Sequence, residues 1–253
     1  MRVLAVIPAR YASTRLPGKP LSKIQEKPMI QWVYEQTRKA LKVNQVVVAT
    51  DDERIASAVR AFGGQVVMTS PDCPSGTDRV AEALDQLQAG QAGSETFDVV
   101  VNVQGDEPFI DPRAIDQAVD LVVSKNFQMA TLMSPFKSAA DIENPSIVKA
   151  IAAADGRALY FSRLPIPYTR VPIPSKGPFA CFRHIGLYVY SVNALAKLRA
   201  LPQSPAEIAE SLEQLRALEN GISIGIAAVE FESLGVDTPE DLEKARALAQ
   251  KRK

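Results

Sequence analysis

The chain is 253 residues long, 46% hydrophobic and 23% charged, with 29 basic side chains balanced by 29 acidic ones. That is the length and composition of a globular protein with a sizeable core. Zero net charge argues against a generally basic nucleic-acid surface, and no apolar run reaches the roughly 20 residues that span a bilayer.

Val3–Ile7 is a short apolar strand, too short for a signal-peptide core, and leads straight into a basic loop, so a cytoplasmic protein is expected. Val46–Ala49 reads as a buried strand, followed by a helix from Ile55 to Phe62 that Gly63 and Gly64 stop. Gln65–Met68 is a further short strand, and Asp98–Val103 reads as a central one. Continuous apolar strands alternating with helices predict an α/β fold: an open, mostly parallel, Rossmann-like sheet with helices on both faces. Ligands are then expected at the carboxyl ends of the strands. We read residues 129–190 as an insertion into a single domain, with Pro165, Pro167, Pro172, Pro174 and Pro178 making part of it extended and irregular. Ser204-Pro205-Ala206-Glu207 predicts a capped helix that Gly221 stops, and Thr238-Pro239-Glu240-Asp241 starts a final one. Cys73 and Cys181 stand far apart and belong to no Cys-x-x-Cys pair, so neither a disulfide framework nor a zinc site is expected.

The most informative segment is residues 7–21. Among the first 25 residues are five basic side chains, Arg2, Arg10, Arg15, Lys19 and Lys23, and no acidic one. Arg10, Arg15 and Lys19 fall in one loop at the end of the first strand, with Ser13, Thr14 and Gly18 leaving room for phosphate oxygens near the backbone. A small polyanion such as a triphosphate fits, and so does a solvated basic loop. Neither the G-x-x-x-x-G-K-[ST] pattern nor a G-x-G-x-x-G fingerprint is present. Asp106 follows the central strand and Asp237 precedes the last helix. Together they could hold a hard divalent cation beside phosphate, or serve merely as a turn former and a helix-end charge.

The loop, together with Ser75-Gly76-Thr77-Asp78-Arg79, Asn102–Pro108, Tyr160–Arg163, Arg183–Tyr188, Leu212–Arg216 and Gly235–Pro239, resembles the signature of the 3-deoxy-manno-octulosonate (Kdo) cytidylyltransferase family over almost the whole chain. The resemblance implies an enzyme that joins CTP to Kdo, giving CMP-Kdo and pyrophosphate for lipopolysaccharide synthesis. It also implies a homodimer with no nucleic-acid or membrane partner. It implies Mg²⁺ on Asp106 and Asp237, and nucleotide contacts from Ala9, Arg10, Ser13, Arg15, Lys19, Ser75, Gly76, Thr77, Arg79 and Asp106. Arg10, Lys19, Asp106 and Asp237 would carry the catalysis. Gln104, Arg163, His184, Tyr188, Glu213 and Gln214 match sugar-contacting positions, although a lone histidine is more often structural. Where the family has glycine after the tyrosine and arginine two places later, this chain has Val189 and Ser191. A related sugar acid (amino-substituted Kdo or a sialic acid) therefore stays open as acceptor, as does a nucleotide sensor without catalysis.

Overall fold

The computed structural model describes residues 1–12, 15–89, 96–136, 138–170, 181–231 and 234–251. Its elements run β1 (Val3–Ala9), a 3-10 turn (Lys19–Leu21), β2 (Lys23–Ile24), β3 (Lys27–Pro28), α1 (Met29–Thr37), β4 (Gln45–Thr50), α2 (Glu53–Ala61), β5 (Val66–Met68), α3 (Gly76–Ala89), β6 (Val99–Asn102) and α4 (Pro112–Val123). Then follow β7 (Met129–Ser134), α5 (Ala139–Glu143), β8 (Lys149–Ala152), β9 (Ala158–Ser162), β10 (Phe182–Ser191), α6 (Val192–Ala200), α7 (Pro205–Glu210), α8 (Gln214–Glu219), β11 (Ile224–Ala228) and α9 (Pro239–Gln250). They form an α/β fold of two compact units: Met1–Asp116 with Ser233–Lys253, and Gln117–Glu232. The second unit is wider than the expected insertion at 129–190 and contains all of it.

In the first unit β6, β1, β4 and β5 lie side by side and parallel, with Leu4 opposite Gln45 and Val100. Almost every residue of β1, β4 and β6 is buried, which is why these strands read as continuous rather than alternating apolar runs. A second cluster, Ile24, Met29, Phe109, Val236, Leu242 and Ala245, packs α9 beside the start of α1. The predicted strand and helix limits hold to within a few residues, and Gly63 stops α2 with φ 77.

The second unit is built differently. β7 pairs parallel with β11 and antiparallel with β10, and β10–β8–β9 continue antiparallel. The single helix expected between Ser204 and Gly221 is in fact two, α7 and α8. Ser211 adopts φ 51, a left-handed conformation that ends α7, and the Leu212 N–H closes the turn on the Glu207 carbonyl at 3.2 Å. Nothing in Glu-Ser-Leu-Glu is a helix breaker by propensity, so the break is a tertiary effect. The expected capping box forms at the start of α7, where Glu207 Oε2 accepts the Ser204 N–H at 3.1 Å. Around the prolines, residues 165–170 form no helix or strand, as expected, while Pro172, Pro174 and Pro178 lie outside the described residues.

Candidate active site

The basic loop leaves β1 at Ala9 and returns to a defined turn. Gly18, at φ 67, takes a conformation that L side chains rarely adopt, and its N–H closes on the Tyr11 carbonyl at 3.1 Å. The 3-10 turn that follows sets the position of Lys19. On the other side of the loop, the Arg54 guanidinium stacks 3.3 Å from the centre of the Tyr11 ring and pairs with Asp52 at 2.6 Å. Tyr11 and Arg54 thus brace the loop against the start of α2. No sequence signal marked them, because cation–π pairing depends on a fold-level neighbour.

Asp106 reaches the loop because β6 ends beside β1. At Gly105 a Cβ would come 2.9 Å from the Pro8 carbonyl oxygen, so only glycine lets the two chain segments pass this closely. Asp237 comes from the far end of the chain. The Val236 N–H donates to the Asp106 carbonyl at 2.9 Å, and Thr238 caps α9 by accepting the Asp241 N–H at 3.2 Å. Asp106 Oδ2 lies 2.7 Å and Asp237 Oδ1 lies 3.0 Å from Lys19 Nζ, and Arg15 Nη2 sits 3.2 Å from the same Asp237 oxygen. Burial alone would lower the Lys19 pKa, but the two carboxylates outweigh it and hold the ammonium above its usual range.

These groups line a cleft of about 510 Å³ with Pro8, Ala9, Arg10, Ala12, Pro20, Pro74, Ser75, Gly76, Gln104 and Gly105. Its wall at Ser75 is the first turn of α3. The Ser75 hydroxyl accepts the Asp78 N–H and donates to Asp78 Oδ2, and the Ser75 N–H donates to the same carboxylate oxygen at 3.1 Å, a reciprocal cap. Arg10 Nη2 donates to the Cys73 carbonyl. Burial, together with Glu82 (whose Oε2 accepts the Cys73 S–H), pushes that thiol up to about 11. Two expected nucleotide residues lie behind the wall. Thr77 is buried, and Arg79 is fully buried with Nη1 on Thr69 Oγ1 at 2.6 Å and beside Asp51 at 3.0 Å. Its Nε and Nη2 have no partner among the described residues. Ser13 lies outside the described residues. Gln104 lines the cleft, next to Asn102.

The other expected sugar contacts belong to the second unit, which gathers them. Tyr188 and His184 lie four residues apart on β10, with ring centres 5.5 Å apart, and Phe161 of β9 packs on His184 at 4.9 Å. Buried in β7, the Thr131 hydroxyl sits 2.9 Å from His184 Nε2 and donates to the carbonyls at the β10 bulge, 2.8 Å from Leu187 O. Because carbonyls only accept, Nε2 must donate to Thr131 and Nδ1 is the acceptor nitrogen. Although part of the residue reaches solvent, packing around the ring pushes its pKa down to about 3. Burial and then the charge of nearby Glu213 push the Tyr188 phenol well above its usual range. Gln214 is buried, with an unpartnered Nε2 among the described residues. The Arg163 guanidinium crosses to the α7–α8 link, donating to the carbonyls of Glu210 and Ser211 at 2.8 and 3.3 Å.

Asp106 and Asp237 are the residues that could hold a metal. They already share one cation, Lys19 Nζ, and both are hard oxygen donors of the kind a divalent cation takes. No group of three or more His, Cys, Asp or Glu side chains occurs among the described residues, so a metal here would complete its shell with ligand oxygens and water. Nor is any described helix long and apolar enough to cross a membrane.

A family model described as cytidylyltransferase matches residues 4–224. The chain is 49% identical to the 3-deoxy-manno-octulosonate cytidylyltransferase of Trichlorobacter lovleyi, covering 97% of this chain and 98% of that one. Against the protein of the same name from Parabacteroides distasonis it is 50% identical over 98% of both. Among solved structures, a CMP:2-keto-3-deoxy-manno-octonic acid synthetase complexed with CTP superposes with a TM-score of 0.90 and 43% identity, over 100% of both chains. A cytidylyltransferase from Leptospira borgpetersenii, at 19% identity and a TM-score of 0.63, shares the fold. With this cleft, and with similarity running from end to end, the chain belongs to the 3-deoxy-manno-octulosonate cytidylyltransferase family.

Proposed function

We propose that this chain transfers the cytidylyl group of CTP to Kdo, giving CMP-Kdo and pyrophosphate. The observation that carries the reading is the superposition, over its full length, on a synthetase whose structure holds CTP. The anomeric hydroxyl of the sugar acid attacks the α-phosphorus, the bond to the bridging oxygen breaks in line, and pyrophosphate leaves. Arg10, Arg15 and Lys19 bind the β- and γ-phosphates and stabilise the charge that builds on the leaving group. Ala9, Ser75 and Gly76 line the nucleotide's side of the cleft, and Arg79, buried behind them, supports the wall against which the base sits. Asp106 and Asp237 would hold Mg²⁺, which when bound supplies Lewis-acid stabilisation of the α-phosphate and lowers the pKa of the attacking hydroxyl. Arg163 takes the substrate carboxylate, and Gln104, His184 Nδ1, Tyr188, Glu213 and Gln214 take its hydroxyls. No protein nucleophile is required, so rate enhancement comes from positioning and electrostatics.

We further infer a cytoplasmic homodimer whose product feeds lipopolysaccharide synthesis, as the family resemblance implies. The exposed Leu159, Leu164, Tyr168 and Ile208 of the second unit support a partner surface. The test mixes purified protein, CTP, Mg²⁺ and Kdo and follows pyrophosphate. Release with another sugar acid but none with Kdo overturns the substrate. Asp106→Asn and Asp237→Asn should each cut kcat/KM at least about a hundredfold, and near-normal turnover in either overturns the metal assignment.

A further inference from the structure

Lys149 opens β8, is fully buried, and plays no part in the site described above. A buried ammonium is costly unless its N–H groups all find acceptors. Here they do: Nζ donates to the carbonyls of Asn144 at 3.0 Å, Ile147 at 2.8 Å and Arg163. Two of these acceptors belong to the turn at residues 144–147, and the third is the main chain of Arg163 itself. The Arg163 side chain closes the same circuit from the other direction, with Nη1 donating to the Pro145 carbonyl at 3.2 Å and Nε to that of Glu210 at 2.8 Å. Glu210 completes the bracket. Its carboxylate accepts from the Ser162 hydroxyl at 2.6 Å and the Arg163 N–H at 2.8 Å.

Packing does not explain a lysine at this position, since methionine has similar length and would fill the space without desolvating a charge. What lysine adds is three directional bonds that converge on Arg163 and its turn. We propose that Lys149, together with Glu210, is a positioning residue for the sugar acid. It fixes the backbone from which Arg163 projects and the turn that the guanidinium crosses. Among the described residues, carbonyls hold three of the five Arg163 N–H groups, which leaves two for the two oxygens of a carboxylate. The same bracket holds residues 210–211, directly ahead of Glu213 and Gln214. The proposal rests on reading Arg163, Glu213 and Gln214 as sugar contacts.

Steady-state kinetics with Kdo and CTP varied separately test it, on Lys149→Met, Glu210→Gln, Arg163→Gln and the Lys149→Met/Arg163→Gln double variant. Lys149→Met should raise KM for Kdo about tenfold or more, leave KM for CTP within about twofold, and add little when Arg163 is already replaced. A merely structural loss would reduce the active fraction, and so kcat, without moving KM for one substrate alone. If Lys149→Met does not fold, Glu210→Gln decides: the same Kdo-selective rise supports the proposal, and its absence overturns it. An unchanged KM for Kdo in folded Lys149→Met, or effects that multiply in the double variant, also overturns it. Arg163→Gln with an unchanged KM for Kdo instead overturns the site reading beneath it.

Discussion

His184 has its protonation state decided by its surroundings. Phe161 and Tyr188 enclose the ring, Thr131 accepts the hydrogen bond from Nε2–H, and burial lowers the pKa to about 3 from an ordinary 6.5. A base with a depressed folded pKa stays neutral through the physiological range, so this histidine contributes no step near pH 6.5 to the activity profile. The unfolded state binds the proton first on acidification, and stability is therefore lost as pH falls from about 6.5 toward 3. Imidazole NMR shifts should stay flat between pH 7 and 5 in the folded protein, and His184→Gln should flatten the stability curve over the acid window. A titration near 6.5 would place the ring in water instead. The family resemblance pointed to His184 from sequence, whereas Thr131, which sets its tautomer, carried no signal because it lies on another strand.

Among the elements, α7 and α8 show how a short helix pair is fixed. Each has six residues, too few to be stable alone. Arg216 of α8 makes a two-pronged pair with the buried Glu207 of α7, at 2.5 and 2.7 Å. Burial by itself would raise the Glu207 pKa, but Arg216 and the Ser204 N–H outweigh it and lower it below 4.5. Glu207→Gln should therefore destabilise the protein by about 2–3 kcal/mol at neutral pH, measured by denaturant unfolding. The sign with pH follows from the depressed value. The carboxylate's contribution is complete above its ordinary pKa and disappears as pH falls through the folded one, so the gap between wild type and variant should close in acid. A gap that persists at pH 3 would assign the effect to packing.

At the scale of the whole molecule, a neutral protein concentrates positive charge in one loop, so ligand binding is local. CTP at about 100 times its dissociation constant should stabilise the folded state by about 2.7 kcal/mol and raise the melting temperature by roughly 5–10 °C, read by calorimetry. Added salt should shrink the shift, since the loop cations are partly exposed and screened. No shift, or an equal shift in an Arg15→Gln/Lys19→Gln variant, would remove the loop from the binding site.

Much of this was legible in the amino-acid order. Continuous apolar runs specify parallel buried strands, glycines mark the ends of α2 and α8, and Thr238 caps its helix through contacts made within a few residues. The ordered motifs identified the family, because each is a local string. Tertiary structure alone decided the rest. Asp106 and Asp237 share one cation only because Val236 bonds to the Asp106 main chain and Gly105 allows close approach to Pro8. The expected helix from 205 to 220 broke at Ser211, where Arg163 takes up the carbonyls of Glu210 and Ser211. Nothing in the sequence marks Lys149, and only the fold shows its ammonium enclosed by three carbonyls. Local propensity sees neighbours along the chain, whereas charge pairing, backbone approach and burial are set between segments far apart in it.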